Sequence, residues 1–175
     1  MDKDSPAPGA APLGLAIFLA SLAVLFAASL VAYWAVRMGK PEWATGMPPL
    51  PTSLWISTVV ILVSSVTIQL ALNAVRAGDL RGLTRFLNAT TLLGAVFLAL
   101  QLWAWWVMVG HDVTGQKTLY GFTFYMLTAL HGVHVIFGVI PIAVTAFRSR
   151  SSTYNAEAHE GVLMCAMYWH FLDAV

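Results

Sequence analysis

The chain has 175 residues, of which 59% are hydrophobic and 10% charged, with a net charge of +1. Soluble domains carry about a quarter charged residues, so this composition belongs to an integral membrane protein, and the near-zero charge points away from nucleic acid. The single cysteine, Cys165, excludes an internal disulfide and a cysteine-based metal cluster; it reads as a small packing residue.

Residues 1–11 are short, polar and rich in Pro and Ala, and are expected to form a disordered cytoplasmic tail. The first apolar stretch, 13–36, is too long for a cleaved signal peptide and lacks a basic start, since Asp2 and Asp4 flank Lys3. It is expected to be a permanent span. Gly14, Ser21, Ala28 and Ala32 share one face, a strip that lets another helix approach closely. Tyr33 and Trp34 stand near its end, as belt aromatics do.

Residues 40–52 hold Pro41, Pro48, Pro49 and Pro51, which predicts an extended crossing outside the membrane. The second span is expected at 53–75, with Ser53, Ser57 and Ser64 as a polar strip suited to back-bonding and tight packing. Residues 76–85 read as a short arginine-rich loop. The third span, 86–109, places Thr90, Gly94 and Gln101 on one face and ends in Trp103, Trp105 and Trp106. Gln101 has two readings, a bridge to another helix or a bond to a local carbonyl. Residues 110–119 form a polar connection, with Asp112 and Gly115 as turn residues.

The fourth span, 120–147, contains no Asp, Glu, Lys or Arg. Its two histidines, His131 and His134, are spaced i, i+3 and so share a helical face, which should point into the protein rather than into lipid. Pro141 is expected to loosen or kink this helix. After a loop over 148–161, the last apolar stretch, 162–175, carries His170 and Asp173, again i, i+3. An aspartate inside the membrane costs about 3 kcal/mol or more unless it finds a partner, and His131 or His134 is the expected one. His131, His134, His170 and Asp173 are therefore expected to form a buried polar cluster. The last stretch would rise about 21 Å, against a hydrocarbon core of about 30 Å, so this span is expected to be truncated at Val175. Lys3, Arg76, Arg81, Arg85, Arg148 and Arg150 lie on one side of this topology, and Arg37, Lys40 and Lys117 on the other. The richer side is cytoplasmic by the positive-inside rule, which places the N-terminus inside. The fold class is thus an all-α, polytopic membrane bundle of five transmembrane helices.

Three intramembrane histidines admit a ligand reading, a haem b between two of them or a metal ion on His-x-x-His with a carboxylate. The favoured reading is structural: they satisfy an aspartate and backbone carbonyls across a helix interface. An Asp–His chain also admits proton relay.

The runs ALHGVHVIFG and MYWHFLDAV, with LQLWAW and SLWISTVVILVSSVT before them, resemble subunit III of the haem-copper (cytochrome c) oxidases over most of the chain, from about Pro12 onward. The resemblance implies a non-catalytic subunit of an aerobic terminal oxidase, stabilising the large subunit that holds the redox centre. It implies no catalytic residue, redox metal or cofactor in this chain, with haem and copper in partner subunits. It implies a multi-pass protein of the inner (cytoplasmic) membrane that contacts the large subunit, other oxidase subunits and membrane lipids. It also implies a phospholipid cleft, with Arg148 and His159 at the matching positions. Better-known members have seven helices, of which this chain matches the later five. Where the family has two acids, this chain has Leu22 and Leu163, which puts any role needing those carboxylates in doubt. The alternatives are a subunit-III-like accessory protein of a nitric oxide reductase, with the same signatures, and a stand-alone membrane haem b protein using His131 and His170. A small transporter is disfavoured by the lack of broken helices or an inverted repeat. Contact with the large subunit is expected through Gly14/Ser21/Ala28 or Ser53/Ser57/Ser64.

Overall fold

A computed structural model of the chain describes residues 10–40, 42, 45–151, 154 and 158–175. The expected N-terminal tail lies outside them as far as residue 9, as does Pro41 of the proline-rich crossing. The described residues form five α-helices in chain order, α1 (Ala10–Gly39), α2 (Ser53–Arg76), α3 (Leu80–Gly110), α4 (Leu119–Arg148) and α5 (Glu160–Ala174), with a single 3-10 turn, Ser149–Ser151, after α4. The first four are long and apolar enough to cross a membrane. With 15 residues, α5 is about 22 Å long.

The arginine-rich loop expected over 76–85 is mostly helix. Gly78, at φ +76°, ends α2 in a left-handed turn that suits glycine. The Gly78 and Asp79 N–H groups return to the Val75 and Ala74 carbonyls, at 3.1 and 2.9 Å. Asp79 then caps α3, its Oδ1 accepting from Gly82 N at 2.9 Å. So α2 and α3 form a tight hairpin, and Arg81 and Arg85 sit on α3 rather than in a loop. Thr118 caps α4 in the same way, accepting from Gly121 N at 3.0 Å. Pro141 lies inside α4, which runs through it.

The core belongs to α2–α5. Ile68, Ala71 and Val75 of α2, Leu83 and Leu87 of α3, Val135 of α4, and Val162 and Trp169 of α5 are completely buried within it. Trp169 is its keystone. A methyl group added at Gly94 of α3 would stand 2.9 Å from the indole, and one at Gly138 of α4 would stand 3.0 Å from it. The two glycines thus let the ring slot between their backbones, as small residues do in membrane helix packing. The ring Nε1 donates to Ser64 Oγ of α2 at 2.9 Å. One side chain therefore ties all four core helices. Thr67 and Thr90 join α2 to α3 through their hydroxyls at 2.8 Å, and Trp105 Nε1 donates to Thr128 Oγ1 at 3.0 Å, joining α3 to α4.

By contrast, α1 stands off. Of its 30 residues only Leu22 and Phe26 are buried. Its strip of Gly14, Ser21, Ala28 and Ala32 is exposed along its length. The strip on α2 is different, because Ser57 and Ser64 are buried inside the chain. There Ser57 Oγ donates to the Leu54 carbonyl and Ser64 Oγ to that of Ile61, while Ser64 also receives Trp169. The expected docking of a partner on Ser53/Ser57/Ser64 is therefore corrected, since α3 and α5 already occupy most of that face.

Candidate functional site

The polar residues expected to form one cluster lie in two places. On α4, His131 and His134 face α1 through Phe26, whose ring lies 6.3 and 5.2 Å from theirs, edge-on. Phe97 of α3 stacks edge-on with His131 from the other side, at 5.7 Å. His134 Nδ1 donates to the Leu130 carbonyl of its own helix at 2.7 Å. This meets its hydrogen-bonding need locally, as a half-buried side chain in a membrane requires.

His170 turns to α2 instead. Its Nδ1 lies 2.8 Å from Ser65 Oγ and its Nε2 3.1 Å from Gln69 Oε1. Gln69 Nε2 donates in turn to Asn73 Oδ1 at 3.2 Å. One ring proton serves the whole chain, with Ser65 donating to His170 and His170 donating to Gln69. Asp173 sits one turn further on, beside Ser65 and His170. Both its oxygens are buried and accept no hydrogen bond among the described residues. The expected hydrogen bond from His131 or His134 to Asp173 is thus not formed. The physical reason is rotational. Trp169 must enter the core between Gly94 and Gly138, and this points the next residue, His170, toward α2. Ser65 and Gln69 are spaced i, i+4, a signal for this site that lies in the sequence beside the strip containing Ser64.

Among the described residues no three His, Cys, Asp or Glu side chains lie together as a metal site. The pair that a bis-histidine haem would use, His131 and His170, is split between the α1 and α2 sides. Gln101, expected to make a bridge or a local bond, is buried, and its Nε2 has no hydrogen-bond partner among the described residues.

The gap between α1 and the core is a cleft of about 640 Å³. Phe18 and Leu22 of α1, His134 and Pro141 of α4, and Tyr168 of α5 line its walls, and Arg148 stands at the arginine-rich end. Tyr168 is fixed by its hydroxyl, which donates to the His134 carbonyl at 3.0 Å. Deeper in, Thr145 Oγ1 and Cys165 Sγ lie 3.6 Å apart across α4 and α5. Cys165 is thus a buried packing residue on the inner side of the cleft. Arg148 lines this cleft and His159 does not. His159 is the capping residue of α5, its carbonyl accepting from Val162 N and Leu163 N at 3.0 and 3.1 Å. Leu22, at a position where the resemblance implies an acid, is buried at the cleft wall. Leu163 packs against the core. Both positions therefore present hydrocarbon.

Comparison with known proteins gives a consistent match. The family model for cytochrome c oxidase subunit III matches residues 9–175. The chain is 32% identical over 173 residues to the protein named cytochrome c oxidase subunit 3 of Corynebacterium diphtheriae, covering 96% of this chain and 84% of that one. It is 32% identical over 169 residues to the protein of the same name in Thermostichus vulcanus, covering 93% and 81%. A probable cytochrome c oxidase subunit 3 of Nocardia farcinica is also 32% identical, over 174 residues, covering 96% and 84%.

Proposed function

The chain belongs to the cytochrome c oxidase subunit III family, and from that premise we propose that it is the non-catalytic third subunit of an aerobic terminal oxidase, holding the large haem-copper subunit in a durable form. The observation that carries this reading is the role of the signature residues. In YWHFLDAV, the tryptophan is the packing keystone, the tyrosine ties α5 to α4, and the histidine bonds to α2. The signature builds a scaffold. The names of the matched relatives favour the oxidase over a nitric oxide reductase.

The proposed docking face is the open strip Gly14/Ser21/Ala28 of α1, since its counterpart on α2 is used internally. The proposed ligand of the α1 cleft is a phospholipid, with its headgroup at Arg148 and its chains along Phe18, Leu22 and Pro141. An apolar groove with one cation at the membrane surface suits such a molecule. The haem and copper are expected in the partner subunits. The site of action is the inner (cytoplasmic) membrane, with the N-terminus and the arginine-rich helix ends on the cytoplasmic side.

The test is affinity purification of the tagged chain in mild detergent. The expected complex contains a haem-copper large subunit and shows its haem spectrum. Deleting the gene is expected to leave haem and copper in the remaining oxidase and its initial rate largely intact, with faster loss of activity during turnover. A stable complex containing this chain and no haem-copper subunit would overturn the assignment.

A further inference from the structure

A second groove lies beside the start of α3, and it shares no lining residue with the cleft. It has a volume of about 390 Å³ and sits between the first turns of α3 and the 3-10 turn after α4. Arg81, Arg85 and Asn88 line it from α3 and Arg150 from the turn, over a base of Thr84 and Ser149. The base is held in place. The Thr84 and Ser149 hydroxyls lie 2.8 Å apart, and Ser149 Oγ donates to the Ala146 carbonyl at 2.8 Å.

The groove is strongly cationic. Among the described residues, three guanidinium groups line it and no carboxylate does. The ion pair found among the described residues joins Lys117 to Asp112, at the opposite end of the bundle. Arg81 and Arg85 stand at i, i+4, a spacing at which like charges repel. They also stand in the first two turns of α3, where the helix dipole disfavours cations and where the one acid at the helix start, the Asp79 cap, is bonded to Gly82 N. A bound anion relieves both. The same helical face then changes character toward the membrane interior. The progression Arg81, Arg85, Asn88, Leu92, Val96 keeps to one stripe of α3, and Leu92 is 65% and Val96 38% exposed. Cations and an amide at the surface, followed by open hydrocarbon beneath, match an amphiphile better than a free anion.

We propose that this groove binds an anionic phospholipid, its phosphodiester held by Arg81, Arg85 and Arg150 with Asn88 as a further donor, and its chains laid along Leu92 and Val96. The proposal does not depend on which complex the chain joins. Basic pockets at helix ends are suited to such headgroups, each cation near the surface adding about 1 kcal/mol, a five-fold change in affinity.

The test uses the full chain, purified with whatever subunits accompany it, stripped of lipid and titrated with phosphatidylglycerol or phosphatidylcholine while bound lipid is counted by native mass spectrometry. The expected result is a tight phosphatidylglycerol, separate from any lipid lost with Arg148→Gln, that phosphatidylcholine does not replace. Arg81→Gln, Arg85→Gln and Arg150→Gln should each weaken it about five-fold, and Arg148→Gln, in the separate cleft, should leave it unchanged. Asn88→Asp, an exposed change that keeps the fold, should weaken it as well by placing an anion in the groove. Equal retention of both lipids, or loss with Arg148→Gln alone, would overturn the proposal. Displacement by millimolar inorganic phosphate would overturn the lipid assignment in favour of a free-anion site.

Discussion

Trp169 shows how a membrane protein that cannot rely on the hydrophobic effect between its helices makes one arrangement preferred. Lipid tails are as apolar as leucine, so association rests on close packing and hydrogen bonds. Trp169 supplies both, with its indole between two glycines and its N–H on Ser64. Glycine within a helix ordinarily costs about 0.5–1 kcal/mol relative to alanine, so its presence at these contacts needs a steric reason. At Gly94 an added methyl would come within 2.7 Å of Val139 and 2.9 Å of Trp169, whereas at Gly132 it would meet nothing within 4 Å. Gly94→Ala is therefore expected to destabilise the bundle by about 1–3 kcal/mol through overpacking. Gly132→Ala should be neutral or stabilising by up to about 1 kcal/mol. Unfolding of the purified protein in a denaturing detergent, followed by tryptophan fluorescence, compares the two. Equal stability of both variants would mean that the indole is not clamped.

At the scale of elements, α2–α5 share a core, and Leu22 and Phe26 are the buried residues of α1. Phe26 is the side chain that reaches across to both histidines of α4. Phe26→Ala is expected to release α1 while leaving the four-helix core folded. Distances between spin labels on exposed sites of α1 and α4 should broaden, and those between α2 and α4 should stay narrow. An unchanged α1–α4 distribution would show that other contacts hold α1. The number, order and apolar character of the helices were legible in the sequence because hydrocarbon runs and proline clusters report directly on membrane crossing. The start of α3 was not, because its first turn is polar and arginine-rich, and only the Gly78–Asp79 pair marks it as a helix beginning. The partner of His170 was not legible either. Spacing tells which residues share a face, but the rotation of α5 is set by where Trp169 finds two glycines to enter, and that involves three helices at once. His131 and His134 were correctly placed on one face, but the aromatic ring that covers them comes from α1, which their own stretch of sequence does not indicate.

At the scale of the whole molecule, the two ends of the bundle differ in charge. The ends formed by the α2–α3 turn and the C-terminus of α4 hold Arg76, Arg81, Arg85, Arg148 and Arg150, whereas the opposite ends hold Arg37, Lys40 and Lys117. Short connections with more Lys and Arg stay on the cytoplasmic side, and only three residues separate α2 from α3. The membrane potential and the anionic cytoplasmic leaflet act in the same direction, and both the cleft cation Arg148 and the arginine groove would then face that leaflet. The chain itself is convenient for testing this, because its one cysteine, Cys165, is buried and should give little background with a polar thiol reagent. Gln116 and Ala77 are exposed at opposite ends. With a membrane-impermeant maleimide, Gln116→Cys is expected to label in intact spheroplasts, and Ala77→Cys only after the membrane is opened. The reverse pattern would invert the molecule. It would also place both proposed lipid sites on the outer leaflet, where the attraction of the cytoplasmic surface for their arginines no longer applies.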